Sequence, residues 1–290
     1  MRALRWAPLL LAVGAPARAH GGQHGHESPG WTLDPWITGP IALSALLFAL
    51  GWRRLRARSG QDRTRQLWLF AGGMAVLAAA LVSPLHEAGE RSFAAHMFEH
   101  ELLMLVAAPL LVMAKPLPVM LWAFPGEARR AIGGVVAATA GLWRMLTAPV
   151  LATGLQAAAL WGWHAPALFD RALASEGWHA AQHLSFLVSA LLFWSAMLGR
   201  RTAPALAALC LVVTSIVSGA LGALMAFATS PWYAGYARLG MAPFGLTPAE
   251  DQQLAGLLMW VPGGLVHAAV ALVVIRNLLA DPAREAAHVG

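Results

Sequence analysis

Apolar residues run along this chain in seven stretches of membrane-crossing length, at about 35–52, 66–84, 93–114, 148–165, 178–198, 204–229 and 253–278, joined by short polar connections. A bilayer core is crossed by about 20 apolar residues of helix. The pattern therefore predicts an all-α fold, a polytopic membrane helix bundle of seven transmembrane helices over 35–278. One further stretch, "AIGGVVAATAGLWRMLT" at 131–147, is apolar enough to be an eighth crossing. It is expected instead to lie along one membrane surface within a partly helical segment, 116–147, whose start Pro116, Pro118 and Pro125 break.

Composition agrees with this pattern. Of all residues 58% are hydrophobic and only 12% charged, against roughly 25% charged in a soluble domain. The basic balance, net +6 with pI near 10.9, does not point to nucleic acid, because the arginines sit in the connections and form no binding motif. With the N-terminus outside, Arg53, Arg54, Arg56, Arg58, Arg63, Arg65, Lys115, Arg129, Arg130, Arg144, Arg200, Arg201, Arg276 and Arg284 fall inside, and only Arg91, Arg171 and Arg238 outside. Fourteen against three is a strong positive-inside bias. An eighth crossing would reduce it to eleven against six, so seven spans are preferred. The expected location is the cell inner membrane, with the C-terminus, 279–290, in the cytoplasm.

The N-terminus reads as a secretory signal over 1–19. Arg2 and Arg5 precede the short apolar run "WAPLLLAVGAP", and "ARA" at 17–19 fits small-x-small cleavage. Residues 20–34 would then form an outer tail rich in histidine, with His20, His24 and His26 able to meet metal without a fold. Cys210, the single cysteine, lies mid-span and reads as a small buried hydrophobe. No disulfide or CxxC motif exists within one chain, so any metal must be held by His, Met, carboxylate or backbone.

Histidine placement carries the chemistry. "HMFEHELLMLVAAP" opens span three and "HAAQHLSFLVSALLFW" opens span five; both enter the membrane from the outer side, and each carries histidines at i, i+4. That spacing stacks two side chains on one helical face. His96 and His179 lie at the outer interface, His100 and His183 roughly 6 Å deeper, and span four ends at the same level with His164 in "WGWHAP". Ionisable groups at membrane depth are costly and mark function. Five histidines from three helices in one layer predict a metal site of His96, His100, His164, His179 and His183. Imidazole suits copper and zinc, and the thioethers of Met97, Met104 and Met259 would suit Cu(I), although each methionine alone is expected to be bundle packing. His267 lies deeper, a candidate for a second site or an internal hydrogen bond, and His86 in "SPLHEAGERS" is expected to be solvated, where it could meet an incoming metal. Tryptophans mark both interfaces, Trp161, Trp163, Trp178 and Trp232 outside and Trp52, Trp68 and Trp122 inside.

"HMFEH" also fits H-x-x-E-H, in which a helix supplies two zinc ligands and a general-base glutamate. An integral-membrane zinc metallopeptidase using His96, Glu99 and His100 is therefore the alternative. Gln182 stands where the second pair would need a carboxylate, and a five-histidine layer leaves little room for the open coordination position of a catalytic zinc. Haem fits less well, because i, i+4 histidines on one helix cannot approach one iron from opposite faces.

"SPL" at 83–85, "HMFEHELLML" at 96–105, "WHAP" at 163–166, "HAAQHLSFL" at 179–187, "SPWY" at 230–233 and "LTPAEDQQLAGLLMWVPGG" at 246–264 together resemble the CtaG-like family of cytochrome c oxidase assembly proteins. The likeness covers most of 65–278. It implies a non-enzymatic copper chaperone that supplies or inserts copper into a respiratory haem-copper oxidase. The partners implied are oxidase subunits, membrane lipid and a periplasmic copper donor, and the histidines implied are the same five. A single-span copper chaperone of the same name uses cysteine ligands, which this chain lacks. In the last motif Thr247 and Glu250 read as a capping box, and Asp251, Gln252 and Gln253 fall at the outer rim, where they could orient ligands.

Overall fold

The computed structural model describes residues 30–280, and among these every regular element is a helix. The expected signal sequence, His20, His24 and His26, and most of the C-terminal tail lie outside the described residues. Six helices are long and apolar enough to cross a membrane: Pro35–Ser59, Thr64–Leu81, Phe93–Ala114, Glu176–Met197, Pro204–Ala226 and Pro248–Leu279, here spans one, two, three, five, six and seven. The expected helical membrane bundle is therefore the observed architecture.

Span four differs from a plain crossing. Its helix, Pro149–Trp163, has 15 residues, about 22 Å of rise against a core of about 30 Å. It follows Ala140–Leu146 across a 68° bend, and a seventh crossing is counted only where this bent pair is taken as one broken span. Pro149 opens the second helix at a position where its missing N–H leaves no bond unmade. Neither Gly126–Ala138 nor Ala140–Leu146 contains a buried residue, which matches a segment lying against the bundle rather than threading it.

The ends of the bundle are built from different chemistry. At the end where spans three, five and seven begin, three short helices, Pro84–Arg91, Pro166–Ala174 and Ala234–Leu239, connect the spans. Phe169 of the second, Tyr233 just before the third and Phe93 at the start of span three form a roof: the Phe169 and Tyr233 rings are 4.2 Å apart, Phe93 and Tyr233 4.8 Å, Phe93 and Phe169 5.3 Å. At the opposite end arginines lie on tryptophans, Arg56 over Trp52 and Arg129 over Trp122, and Arg54 donates to the Ala123 carbonyl at 2.6 Å.

Span three is not uniform. Its first turns, Phe93–Glu101, are α-helical, Leu102–Ala107 widens to a π-helix, and Ala108–Ala114 returns to α. Pro109 has no N–H to give and crowds the turn before it, which accounts for the widening just ahead of it. Widening loosens backbone bonds, and the Trp194 indole of span five answers one by donating to the Met104 carbonyl at 2.8 Å. Such π segments recur beside functional side chains.

Spans six and seven approach most closely through glycine. A Cβ on Gly222 would lie 2.8 Å from the Gly256 carbonyl oxygen, and one on Gly256 would lie 2.5 Å from the Ala226 nitrogen. Small residues permit such backbone approach in membranes, where lipid supplies no hydrophobic drive between helices. We predict that Gly256→Val separates the two spans and destabilises the bundle by about 1–3 kcal/mol, the usual cost of overpacking. Gly264→Ala, whose Cβ would meet only the Ser215 hydroxyl at an ordinary 3.8 Å, should melt in detergent at the wild-type temperature; equal loss in both would refute the close-approach account.

Candidate metal centre

One carboxylate fixes where the histidine helix begins. Asp251, in the first turn of span seven, accepts from the Ser92 hydroxyl at 2.8 Å, the Phe93 N–H at 2.6 Å and the Ala94 N–H at 3.3 Å. Ser92 in turn caps span three by accepting from the Ala95 N–H at 3.2 Å. The orphan donors of a helix start are thereby satisfied inside the protein, and His96 and His100 enter the bundle at a fixed angle. The expected capping box of Thr247 and Glu250 is present and starts the helix that presents Asp251. Gln252 accepts from the Trp232 N–H, and Gln253 donates to the Ala228 carbonyl. All three rim residues thus order backbone, with Asp251 acting directly on the histidine helix.

Four expected histidines converge. Ring centroids lie 4.4 Å apart for His96 and His100, 4.3 Å for His179 and His183, 4.9 Å for His100 and His183, and 5.1 Å for His96 and His179. His96, His100 and His183 are buried, and each offers a ring nitrogen within 4.8 Å of the others. His96 Nε2, both nitrogens of His100, His179 Nε2 and His183 Nε2 are buried with no hydrogen-bond partner. Hydrogen bonds also fix one tautomer. The Tyr236 hydroxyl donates to the Gly89 carbonyl at 2.6 Å, so at 3.1 Å it accepts from Nδ1–H of His96. That leaves the lone pair of His96 on Nε2, among the other imidazoles.

His164 takes a different place. Its Nδ1–H donates to the Leu160 carbonyl at 2.7 Å, and Nε2 faces the Met97 sulfur at 3.2 Å. The Phe169 and Phe186 rings lie against it, and these same rings touch His96 and His100 respectively. It is therefore adjacent to the converging four without joining them, and its bare nitrogen meets a thioether. The other methionines are buried packing, Met104 beside the Gln156 amide and Met259 within the core. His267 donates from Nδ1 to the Gly263 carbonyl and stacks on Trp194, well below the layer.

Two residues at the centre escaped the sequence reading. His86 was expected in solvent, yet its side chain is only 12% exposed, and its Nδ1 sits 2.8 Å from Oε1 of a fully buried Glu99. The helix Pro84–Arg91 folds back over span three and carries it there, a long-range placement that no local pattern encodes. His183 Nε2 lies 3.7 Å from the same oxygen. His86, Glu99 and His183 form a second set of closely spaced donors, and His183 belongs to both sets. Tyr236 was also missed, lying in the short connecting helix Ala234–Leu239 without a motif.

Residues 46–281 match the cytochrome c oxidase caa3 assembly factor family. The chain belongs to that family. No match was found among curated proteins or among solved structures. Membership in the caa3 assembly factor family makes the chain an assembly factor of cytochrome c oxidase, a protein that associates with the oxidase, and agrees with the resemblance carried by the histidine motifs.

Electrostatics at His86 give a pH signature for this assembly factor. Burial works against its charge, but the hydrogen bond it donates to Glu99, with the negative charges of Glu99, Glu90 and Glu87, outweighs burial and holds the imidazole above its ordinary value of 6.5. A histidine with a raised folded value contributes stability that is complete below the unfolded value and is lost as pH rises through the folded one. We predict that thermal stability in detergent falls as pH rises from below 6.5 through the raised value, and that His86→Ala flattens this slope. A slope unchanged in His86→Ala would assign it to other groups.

Proposed function

We propose that this assembly factor binds copper at its histidine end and supplies or inserts it into the haem-copper cytochrome c oxidase from the outer face of the cell inner membrane, with its N-terminus outside and its C-terminus cytoplasmic. The observation carrying this reading is the set of buried imidazole nitrogens of His96, His100 and His183, close together and without hydrogen-bond partners. Leaving such a group unpaired costs about 1–3 kcal/mol each, and native proteins retain few such groups. Neutral imidazoles with inward lone pairs are a donor set that fits a metal ion, and Tyr236 behind His96 is the kind of partner that fixes a ligand tautomer.

Copper, with zinc as the other ion imidazole would take, is favoured by the soft thioether at His164. Met97 sulfur and His164 Nε2 meet as two lone-pair donors, a combination that suits Cu(I). His86, at the more exposed edge with Glu99, is placed to take up the ion from a periplasmic copper donor, and the buried trio to hold it. Because His183 belongs to both sets, an ion can exchange the His86 and Glu99 contacts for those of His96 and His100 while one ligand stays in place.

The zinc metallopeptidase alternative assigns Glu99 as general base, whereas its Oε1 is engaged by His86 and the residue is wholly buried. The two readings separate by substitution. We predict that His100→Ala with His183→Ala lowers copper affinity of the purified chain by more than about 100-fold, beyond the cost of losing an outer-shell partner. Cells carrying it should make haem-containing oxidase deficient in copper, partly restored by added copper through mass action. Glu99→Gln should still deliver copper when the metal is plentiful; a peptidase requires the opposite pattern. Oxidase with normal copper content in the double variant would overturn the copper reading. Outside-only labelling of a cysteine placed in the 200–203 turn would overturn the orientation.

A further inference from the structure

The opposite end of the bundle holds a cavity of about 970 Å³ that the proposed copper chemistry does not use. Six cationic residues line it from four separate parts of the chain: Arg63 and Arg65 at the start of span two, Lys115 after span three, Arg144 on the surface helix, and Arg200 and Arg201 in the turn between spans five and six. Asp62 is the one acidic residue in the lining, so six cations against one anion leave the cavity wall at +5. The Asp62 carboxylate is already held by the Thr64 N–H and hydroxyl. Among the described residues none of the six makes an ion pair with a carboxylate; Arg63 donates from one terminal nitrogen to the Gln61 amide oxygen at 3.1 Å, while its Nε is buried with no partner.

Positive-inside bias explains an excess of arginine on one side of a membrane. It does not explain why six cations from distant segments face one cavity. Elsewhere at the same end the cations are taken up by the protein, Arg54 by the Trp122 and Ala123 carbonyls and Arg56 by the Trp52 ring. Like charges brought together in a partly apolar wall repel more strongly than in water, and an anion would relieve them.

The wall is amphipathic. Met113, 39% exposed, and Trp143, 47% exposed, contribute apolar surface beside the cations. A free inorganic anion has no use for such surface, whereas a phospholipid presents a phosphate next to acyl chain. We propose that this cavity binds the headgroup of an anionic phospholipid, its phosphate among Arg144, Arg200, Arg201 and Arg63 and its chains leaving over Met113 and Trp143. Basic pockets between membrane helices are recognised sites for such headgroups. The proposal is independent of what the histidine end does.

The test is native mass spectrometry of the full chain released from micelles or nanodiscs containing equal phosphatidylglycerol and phosphatidylcholine, repeated with cardiolipin in place of phosphatidylglycerol. The wild type should retain anionic lipid over phosphatidylcholine, and Arg144→Gln, Arg200→Gln, Arg201→Gln should lose at least about tenfold of it, a 1.4 kcal/mol difference. Arg53→Gln, Arg56→Gln, Arg58→Gln removes the same charge from the same end and should retain it. Helix content by circular dichroism and a single gel-filtration peak establish that both variants are folded. Equal loss in the two variants would mean diffuse charge attraction and overturn the proposal, as would retention in the first. Stabilisation by inorganic phosphate alone, with no lipid retained, would make the site one for a free anion and overturn the lipid assignment.

Discussion

The carboxylate of Asp251 is the contact on which the histidine end depends. It lies 3% exposed at the first turn of span seven and satisfies three donors at the first turn of span three. Both helices start at the same end of the bundle, so one negative charge faces two positive helix termini at once. In an apolar setting the alternative for those donors is to go unpaired, at a cost comparable to losing each bond. The clamp therefore sets the register of span three against span seven, and His96 and His100, one and two turns further on, inherit that register. The aromatic roof of Phe93, Phe169 and Tyr233 then closes over them.

Beneath the clamp, span three reconciles two demands that a regular helix cannot meet together. Its first turns must point histidines inward, while Pro109 forbids one of the later backbone bonds. The π segment Leu102–Ala107 absorbs the mismatch, and the indole of Trp194 compensates the Met104 carbonyl. Trp194 also stacks on His267, so the imidazole in span seven serves packing at the level where the helix widens. The converging imidazoles and the repaired stretch of helix thus lie at different depths of span three.

What the sequence could reveal follows from the range of the interactions involved. Spans are legible because an apolar run is a local property, and the paired histidines of spans three and five are legible because i, i+4 spacing fixes one face regardless of what the helix meets. Arrangements made by fold-back are not. His86 reaches Glu99 only because Pro84–Arg91 turns over the bundle, and Tyr236 reaches His96 from 140 residues away. His164 stands at the expected level, but its Nδ1–H bond to the preceding turn rotates Nε2 toward Met97, a rotamer choice that spacing does not determine. The 68° bend before span four is marked by Pro149, yet proline alone does not distinguish a bend from a helix start.

Charge conservation narrows what the proposed copper site can hold. A bare cation taken into a low-dielectric interior must meet compensating charge, or its desolvation outweighs the bonds it makes. Among the converging histidines Glu99 is the single carboxylate, fully buried and in contact with His86, so one negative charge is the most this cluster can offer a bound ion. Metal ligands give up their protons on binding. That one charge compensates a monovalent ion, whereas a divalent ion keeps one uncompensated positive charge under an aromatic roof. The imidazoles contribute lone pairs without charge, and the thioether of Met97 contributes softness without charge. On the proposed reading, the same arrangement that makes this end tolerable when metal-free therefore selects Cu(I) over a divalent ion by electrostatics as well as by ligand softness.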